Sequence, residues 1–289
     1  MTEQNTKRGI GMMVLTTLIF ALQDGLTRHL TMHYPVQMVV MFRFWFIAAL
    51  VLVRHGRKGD LPRMFGTRQK PLHIVRGVLL VTQISMTGLA FAKLGLIESH
   101  ALLTAYPLWV AALSGPILNE KVGWRRWLAI GVGFAGILVM LRPGVSVFSF
   151  WSVMPLAASV MFALYGLLTR KAARQDGVEV SFFWTGIVGA AAMSVMGLPV
   201  WQTFAPLDWG VMALLCVLSA AGHWCMIRAY DLAEAADVQP FAYLQLVWIA
   251  LLGLMFYGET LRPAVILGSS IVVAAGLFTL WRQRVTARG

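Results

Sequence analysis

Apolar residues run along this chain in stretches about twenty long, separated by short polar, glycine- or proline-bearing joints. A helix needs about 20 apolar residues, at ~1.5 Å each, to cross a ~30 Å hydrocarbon core. Ten runs approach that length, at approximately 9–31, 36–54, 73–93, 99–118, 124–141, 151–170, 180–199, 209–230, 238–257 and 263–282. The pattern predicts an all-α integral membrane protein of ten transmembrane helices. Only the basic stretch from Arg54 to Arg76 separates two runs widely, so most neighbours should be antiparallel.

The first run ends in Phe20-Ala-Leu-Gln-Asp-Gly-Leu-Thr-Arg28, and the sixth in Phe162-Ala-Leu-Tyr-Gly-Leu-Leu-Thr-Arg170. Six of the nine positions agree, which marks a duplication. A second echo pairs Trp109 and Glu120 of run four with Trp248 and Glu259 of run nine, and runs five and ten share Ala135-Gly136 and Ala275-Gly276. The chain therefore divides into residues 1–145 and 146–289, with five helices each. Because five is odd, the second half enters the membrane from the opposite side, and the repeats are inverted.

Composition agrees with a bilayer: 58% of residues are hydrophobic and 12% charged. The net charge of +12 need not mean nucleic acid, since the bases sit at the ends of apolar runs. With the N-terminus inside, nineteen of the 24 Lys and Arg fall on the inner side and four (Arg28, Lys93, Arg142, Arg262) outside, leaving Arg43 within a run. That bias predicts both termini in the cytoplasm. Lys7-Arg8 before the first run resembles a secretory signal, but no small-residue cleavage site follows, so the run is read as retained. Cys216 and Cys225, nine residues apart in one run, read as packing residues.

Polar residues inside the runs carry the chemistry. Thr16, Phe20, Gln23 and Thr27 share one helix face, as do Ser159, Phe162, Gly166 and Thr169 in run six. Such stripes avoid lipid and should face neighbouring helices or a wet cavity. Further faces carry Gln83, Met86, Thr87 and Ala90, and Ser219, His223, Met226 and Tyr230. Asp24 and Arg43 are embedded charges, about 6 and 12 Å below one membrane boundary at helical rise, so they are candidates for an ion pair or a proton-linked role. Runs four and nine add Tyr106, Trp109, Tyr243, Gln245 and Trp248. With Tyr165 these aromatics could line a pocket that stacks rings or holds cations. Pro107 breaks the hydrogen-bond ladder of run four and is a candidate hinge, while run nine carries Leu246 at the matching position, so a shared hinge is not expected. Trp124, Trp127, Trp151, Trp201, Trp209 and Trp281 sit at run ends, as an interfacial belt does.

Gly131-Val-Gly-Phe-Ala-Gly136 fits G-x-G-x-x-G, but inside an apolar run it reads as close helix packing. The sequence holds no Walker A, H-E-x-x-H, C-x-x-C or G-x-S-x-G motif and no clustered nucleophile or acid–base pair, so neither an enzyme, a metal site nor a cofactor is expected.

Ten short helices in inverted halves, Glu120 and Glu259 closing runs four and nine, and Pro107 resemble the drug/metabolite transporter superfamily in its EamA-type branch, and within it the YddG-type amino-acid exporters. The resemblance covers essentially the whole chain. It implies a cavity lined by helices one, three, four, six, eight and nine, and export of aromatic and other neutral amino acids by alternating access. In that reading Gln23, Gln83, His223 and Gln245 orient the zwitterion, and Tyr106, Trp109, Tyr165, Tyr243 and Trp248 wall its side chain. The alternative is export of cationic or aromatic drugs through the same cavity. A channel would instead show flux without counterflow. The expected partners are a small-molecule substrate and the lipid bilayer, with no nucleic acid, and the reading is compatible with a monomer.

Overall fold

The computed structural model describes residues 5–118, 123–141, 150–173, 175–233 and 235–288. Glu120, singled out by the second echo, lies outside the described residues. The described chain is helical with no strand: α1 Thr6–Thr31, α2 Val36–Lys58, α3 Leu61–Phe65, α4 Lys70–Leu94, α5 Leu96–Leu103, α6 Tyr106–Leu118, α7 Trp124–Leu141, α8 Val153–Ala172, α9 Val178–Gly197, α10 Pro206–Leu232, α11 Ala235–Ala242, α12 Leu244–Tyr257 and α13 Pro263–Arg288.

Among the described residues, eight segments are long and apolar enough to span a bilayer, with α5 and α6 counted as one; shorter apolar helices occur at Trp127–Leu141 and Pro263–Thr279. Large apolar side chains point outward along them: Val195, Met255 and Phe256 are 77%, 74% and 72% exposed. In water such a surface would aggregate; hydrocarbon accommodates it. Trp124, Trp127, Trp201, Trp209 and Trp281 are also exposed, as the interfacial reading expects.

The basic stretch after Arg54 is mostly helical rather than a loop. The left-handed Gly59 (φ +70°) ends α2, α3 follows, and α4 begins at Lys70. Arg76, counted by sequence with the inner bases, is fully buried in α4. Its Nη2 donates to the Ser181 carbonyl (2.6 Å) and Thr185 Oγ1 (2.9 Å) of α9. Burial follows from the ring of Tyr165 on one side and the start of α9 on the other, which supply a cation–π face and carbonyl acceptors in place of water.

The helices pack in pairs that repeat when the first five runs are exchanged for the last five. α1 lies on α10 and, correspondingly, α8 on α4; α1 also meets α11 and α12, as α8 meets α5 and α6. α2 pairs with α9, and α7 with α13. At the α7–α13 contact a methyl added to Gly136 would meet the carbonyl of Gly268 at 2.8 Å, so the glycine motif serves helix packing.

Candidate functional site

Two helices break in mid-membrane. The fourth run stops at Leu103, turns through Thr104 and Ala105, and restarts as α6; the ninth stops at Ala242, turns at Tyr243 and restarts as α12. The breaks fall at matching places in the repeat, contrary to the expectation from Leu246. Pro107 has no N–H to offer the Leu103 carbonyl four residues back, which is where the helix stops. It sits in the first turn of α6, where a helix leaves its N–H groups unpaired in any case, so its missing donor is harmless there.

Beside these breaks lies a cavity lined by Phe20, Gln23, Asp24 and Thr27 of α1, Arg43 of α2, Gln83, Thr87 and Phe91 of α4, His100 of α5, Thr104, Tyr106, Phe162 of α8, His223 of α10, Tyr243 and Gln245. The cavity volume is about 60 Å³. Runs one, three, four, six, eight and nine all contribute, and Arg43 adds run two.

Asp24 is held by neutral groups: Gln245 Nε2 donates to Oδ2 (3.0 Å) and Gln23 Nε2 to Oδ1 (3.5 Å), while His100 Nδ1 stands 3.8 Å from Oδ2. Arg43, 1% exposed, donates from Nε to Ser219 Oγ at 3.2 Å, and its Nη2 has no partner. The two charges line one cavity without a direct ion pair, each hydrogen-bonded to a neutral side chain of another helix. Gln83 Nε2 donates to Thr87 Oγ1 (2.9 Å), one turn along the same helix. Gln23 Oε1 and both ring nitrogens of His223 lack partners, so the wall offers unused donors and acceptors.

Three predicted aromatics lie elsewhere. Trp109 packs edge-on against Phe134 of α7, 4.6 Å between centroids. Tyr165 covers Arg76, with 5.6 Å from its ring centroid to Cζ. Trp248 packs on the cluster of Ala21, Phe91, Leu96 and Ile249. Each is needed between helices, which a mid-run position alone does not distinguish from a cavity wall. Sequence reading missed His100, Phe91 and the cavity role of Arg43. His100 stands at the predicted start of run four, four residues before Thr104 and so on its face. Among the described residues no group of three His, Cys, Asp or Glu side chains is placed to hold a metal ion.

Glu259 ties three helices together near the Thr31 end of α1. The left-handed Gly258 (φ +59°) ends α12 and turns the next side chain back toward α5. The Glu259 carboxylate accepts the N–H groups of Leu96 (2.7 Å) and Ile97 (2.8 Å), capping α5, and also pairs with Arg28 of α1. Tyr257 Oη donates to the Gly25 carbonyl (2.7 Å), and Arg28 lies 4.2 Å over its ring. Thus α1, α5 and α12 are tied together at the Thr31 end of α1.

Apolar spanning helices around a polar, charged cavity beside two broken helices define a membrane transporter of small molecules. The chain belongs to the EamA-like transporter family, whose pattern matches residues 7–142 and again 149–281. It is 28% identical over 283 residues to the riboflavin transporter of Vibrio cholerae, covering 96% of this chain and 94% of that one. It is 24% identical over 282 residues to the S-adenosylmethionine uptake transporter of Rickettsia prowazekii, covering 96% and 93%. The pseudopaline exporter CntI of Pseudomonas aeruginosa shares 24% over 275 residues, covering 93% and 94%. A solved crystal structure of a protein with 16% identity has the same fold, with a TM-score of 0.66 over 94% of this chain and 97% of that one.

Proposed function

We propose that this protein is a secondary transporter of a bacterial inner membrane that exports amino acids, aromatic and other neutral ones, by alternating access. The observation that carries this reading is the cavity itself, where Asp24 and Arg43 stand apart with partnerless polar atoms around them and Phe20, Phe91, Tyr106, Phe162 and Tyr243 supply an aromatic wall. An amino acid needs such a pair of poles with an apolar flank. Gln23, Gln83, His223 and Gln245 would orient its charged ends.

Ten spans in two inverted five-helix halves are supported by the sequence echoes, by the double match of the family pattern and by helix pairs that repeat on exchange of the halves. Inversion lets the halves swap conformations and so turn an outward-open cavity into an inward-open one. The bias of basic residues supports both termini in the cytoplasm. In that orientation the Arg28–Glu259 contact lies toward the outer side.

A second reading, larger aromatic metabolites through the same cavity, is favoured by the relatives named for riboflavin and S-adenosylmethionine. Counterflow separates the two. Proteoliposomes preloaded in turn with phenylalanine, threonine, lysine, riboflavin, S-adenosylmethionine and a quaternary ammonium drug are assayed for transient accumulation of the labelled compound. Overshoot with phenylalanine and threonine supports the amino-acid reading. Overshoot with riboflavin or the drug alone replaces it, and equilibration without overshoot indicates a channel.

A further inference from the structure

Arg43 and Asp24 are a cation and an anion embedded among apolar helices, and the fold keeps them apart. Each is anchored by a neutral side chain: Ser219 holds Arg43 through Nε, leaving Nη2 without an acceptor, and Gln245 holds Asp24 through Oδ2. Both line the same cavity. Opposite charges buried without partners are costly, and direct pairing would be the simplest relief. Anchoring them singly withholds that relief and points each charge at something that enters the space between them.

We propose that Arg43 and Asp24 are the two poles of the substrate site, Arg43 receiving a carboxylate on its free Nη2 and Asp24 an ammonium group, so that the transported species is a zwitterion. This rests on the amino-acid reading above and narrows it: free carboxylate and free ammonium are both required, whatever the side chain. Arg43 suits the anionic end because a guanidinium stays charged and offers its donors in a fixed plane. Gln23 and Gln245 hold Asp24 through amide nitrogens and His100 Nδ1 stands 3.8 Å away, so among the described residues no Lys or Arg forms an ion pair with its carboxylate.

The test uses counterflow of labelled phenylalanine in proteoliposomes of the full chain, against unlabelled phenylalanine, phenylalaninamide (no carboxylate) and N-acetylphenylalanine (no ammonium). The wild type should prefer phenylalanine over each analogue by about tenfold or more, as loss of one charge-assisted contact implies. Arg43→Gln should lower phenylalanine exchange by about tenfold and abolish the discrimination against the amide, and Asp24→Asn should abolish that against the acetylated compound. If wild type exchanges either analogue as well as phenylalanine, or if Arg43→Gln keeps the wild-type preference, the proposal is overturned while the amino-acid reading stands. If no amino acid exchanges at all, both fall. The wild-type panel decides even where a variant fails to fold.

Discussion

Arg28 and Glu259 stand 231 positions apart in the chain and form an ion pair at the Thr31 end of α1, with side chains 14% and 13% exposed. The same carboxylate caps α5, so one residue answers two needs that apolar surroundings make acute: neutralising a cation and satisfying two helix-end donors. Glu259→Ala should lower stability by about 3 kcal/mol, roughly 1 from the lost cap and 2 from leaving Arg28 unpaired. Arg28→Gln should lower it less, because the α5 donors keep their acceptor. Melting curves of the single and double variants in detergent check this. Strictly additive losses would show that the two side chains are not coupled.

Gly276 of α13 provides the space that the Tyr243 hydroxyl occupies, since a methyl built there would overlap Oη and come within 2.7 Å of Cζ. Gly276→Ala should therefore destabilise by about 1–3 kcal/mol, the range for overpacking a tight interior. Tyr243→Phe in the same background should recover only part of that loss, because the ring carbon remains too close. Full recovery would place the conflict at the hydroxyl alone.

Helical periodicity made much of the cavity legible before any coordinates. Gln23 and Thr27, Gln83 and Thr87, and His223 lie on faces that a polar stripe in an apolar run identifies without reference to its neighbours. The same logic fails for Trp109, Tyr165 and Trp248, because an aromatic ring is as content between two helices as beside a cavity, and only the packing partner decides. The break in run four lies within the turn that Pro107 marked as a candidate bend, whereas the break at Tyr243 escaped because run nine carries Leu246 and no proline at the matching position. Arg43 and Asp24 were recognised as embedded charges, with an ion pair and a proton-linked role both open, but sequence does not show that Ser219 and Gln245 are their hydrogen-bond partners.

Arg76 is the converse of the Arg28 case. Its guanidinium has a carbonyl, a hydroxyl and a ring face as partners, no carboxylate within ion-pair distance, and Nε and Nη1 unsatisfied. Replacing a poorly compensated buried charge by an apolar side chain of similar length is commonly neutral or stabilising. Arg76→Met should thus melt within about 1 kcal/mol of the wild type or above it. A loss of 3 kcal/mol or more would mean that the carbonyl, hydroxyl and ring compensate the charge fully.

Asp176 ties the entry of α9 to the entry of α4. Its Oδ2 accepts from Thr67 Oγ1 (2.6 Å), Gln69 Nε2 (3.1 Å) and His73 Nε2 (2.9 Å), and Gln69 also donates to the Ala172 carbonyl (3.2 Å) at the end of α8. Removing the carboxylate takes that acceptor from Thr67 and His73 and leaves Gln69 only the Ala172 carbonyl, and His73 is almost wholly buried. Asp176→Ala should cost about 2–4 kcal/mol, less than the sum of three separate charge-assisted bonds because they share one acceptor. Asp176→Asn keeps an oxygen but lowers its accepting strength and adds a donor facing donors, so it should fall between alanine and wild type. The order wild type, asparagine, alanine in melting temperature is the expected result. If asparagine melts with wild type, the shape of the acceptor matters here and its charge does not.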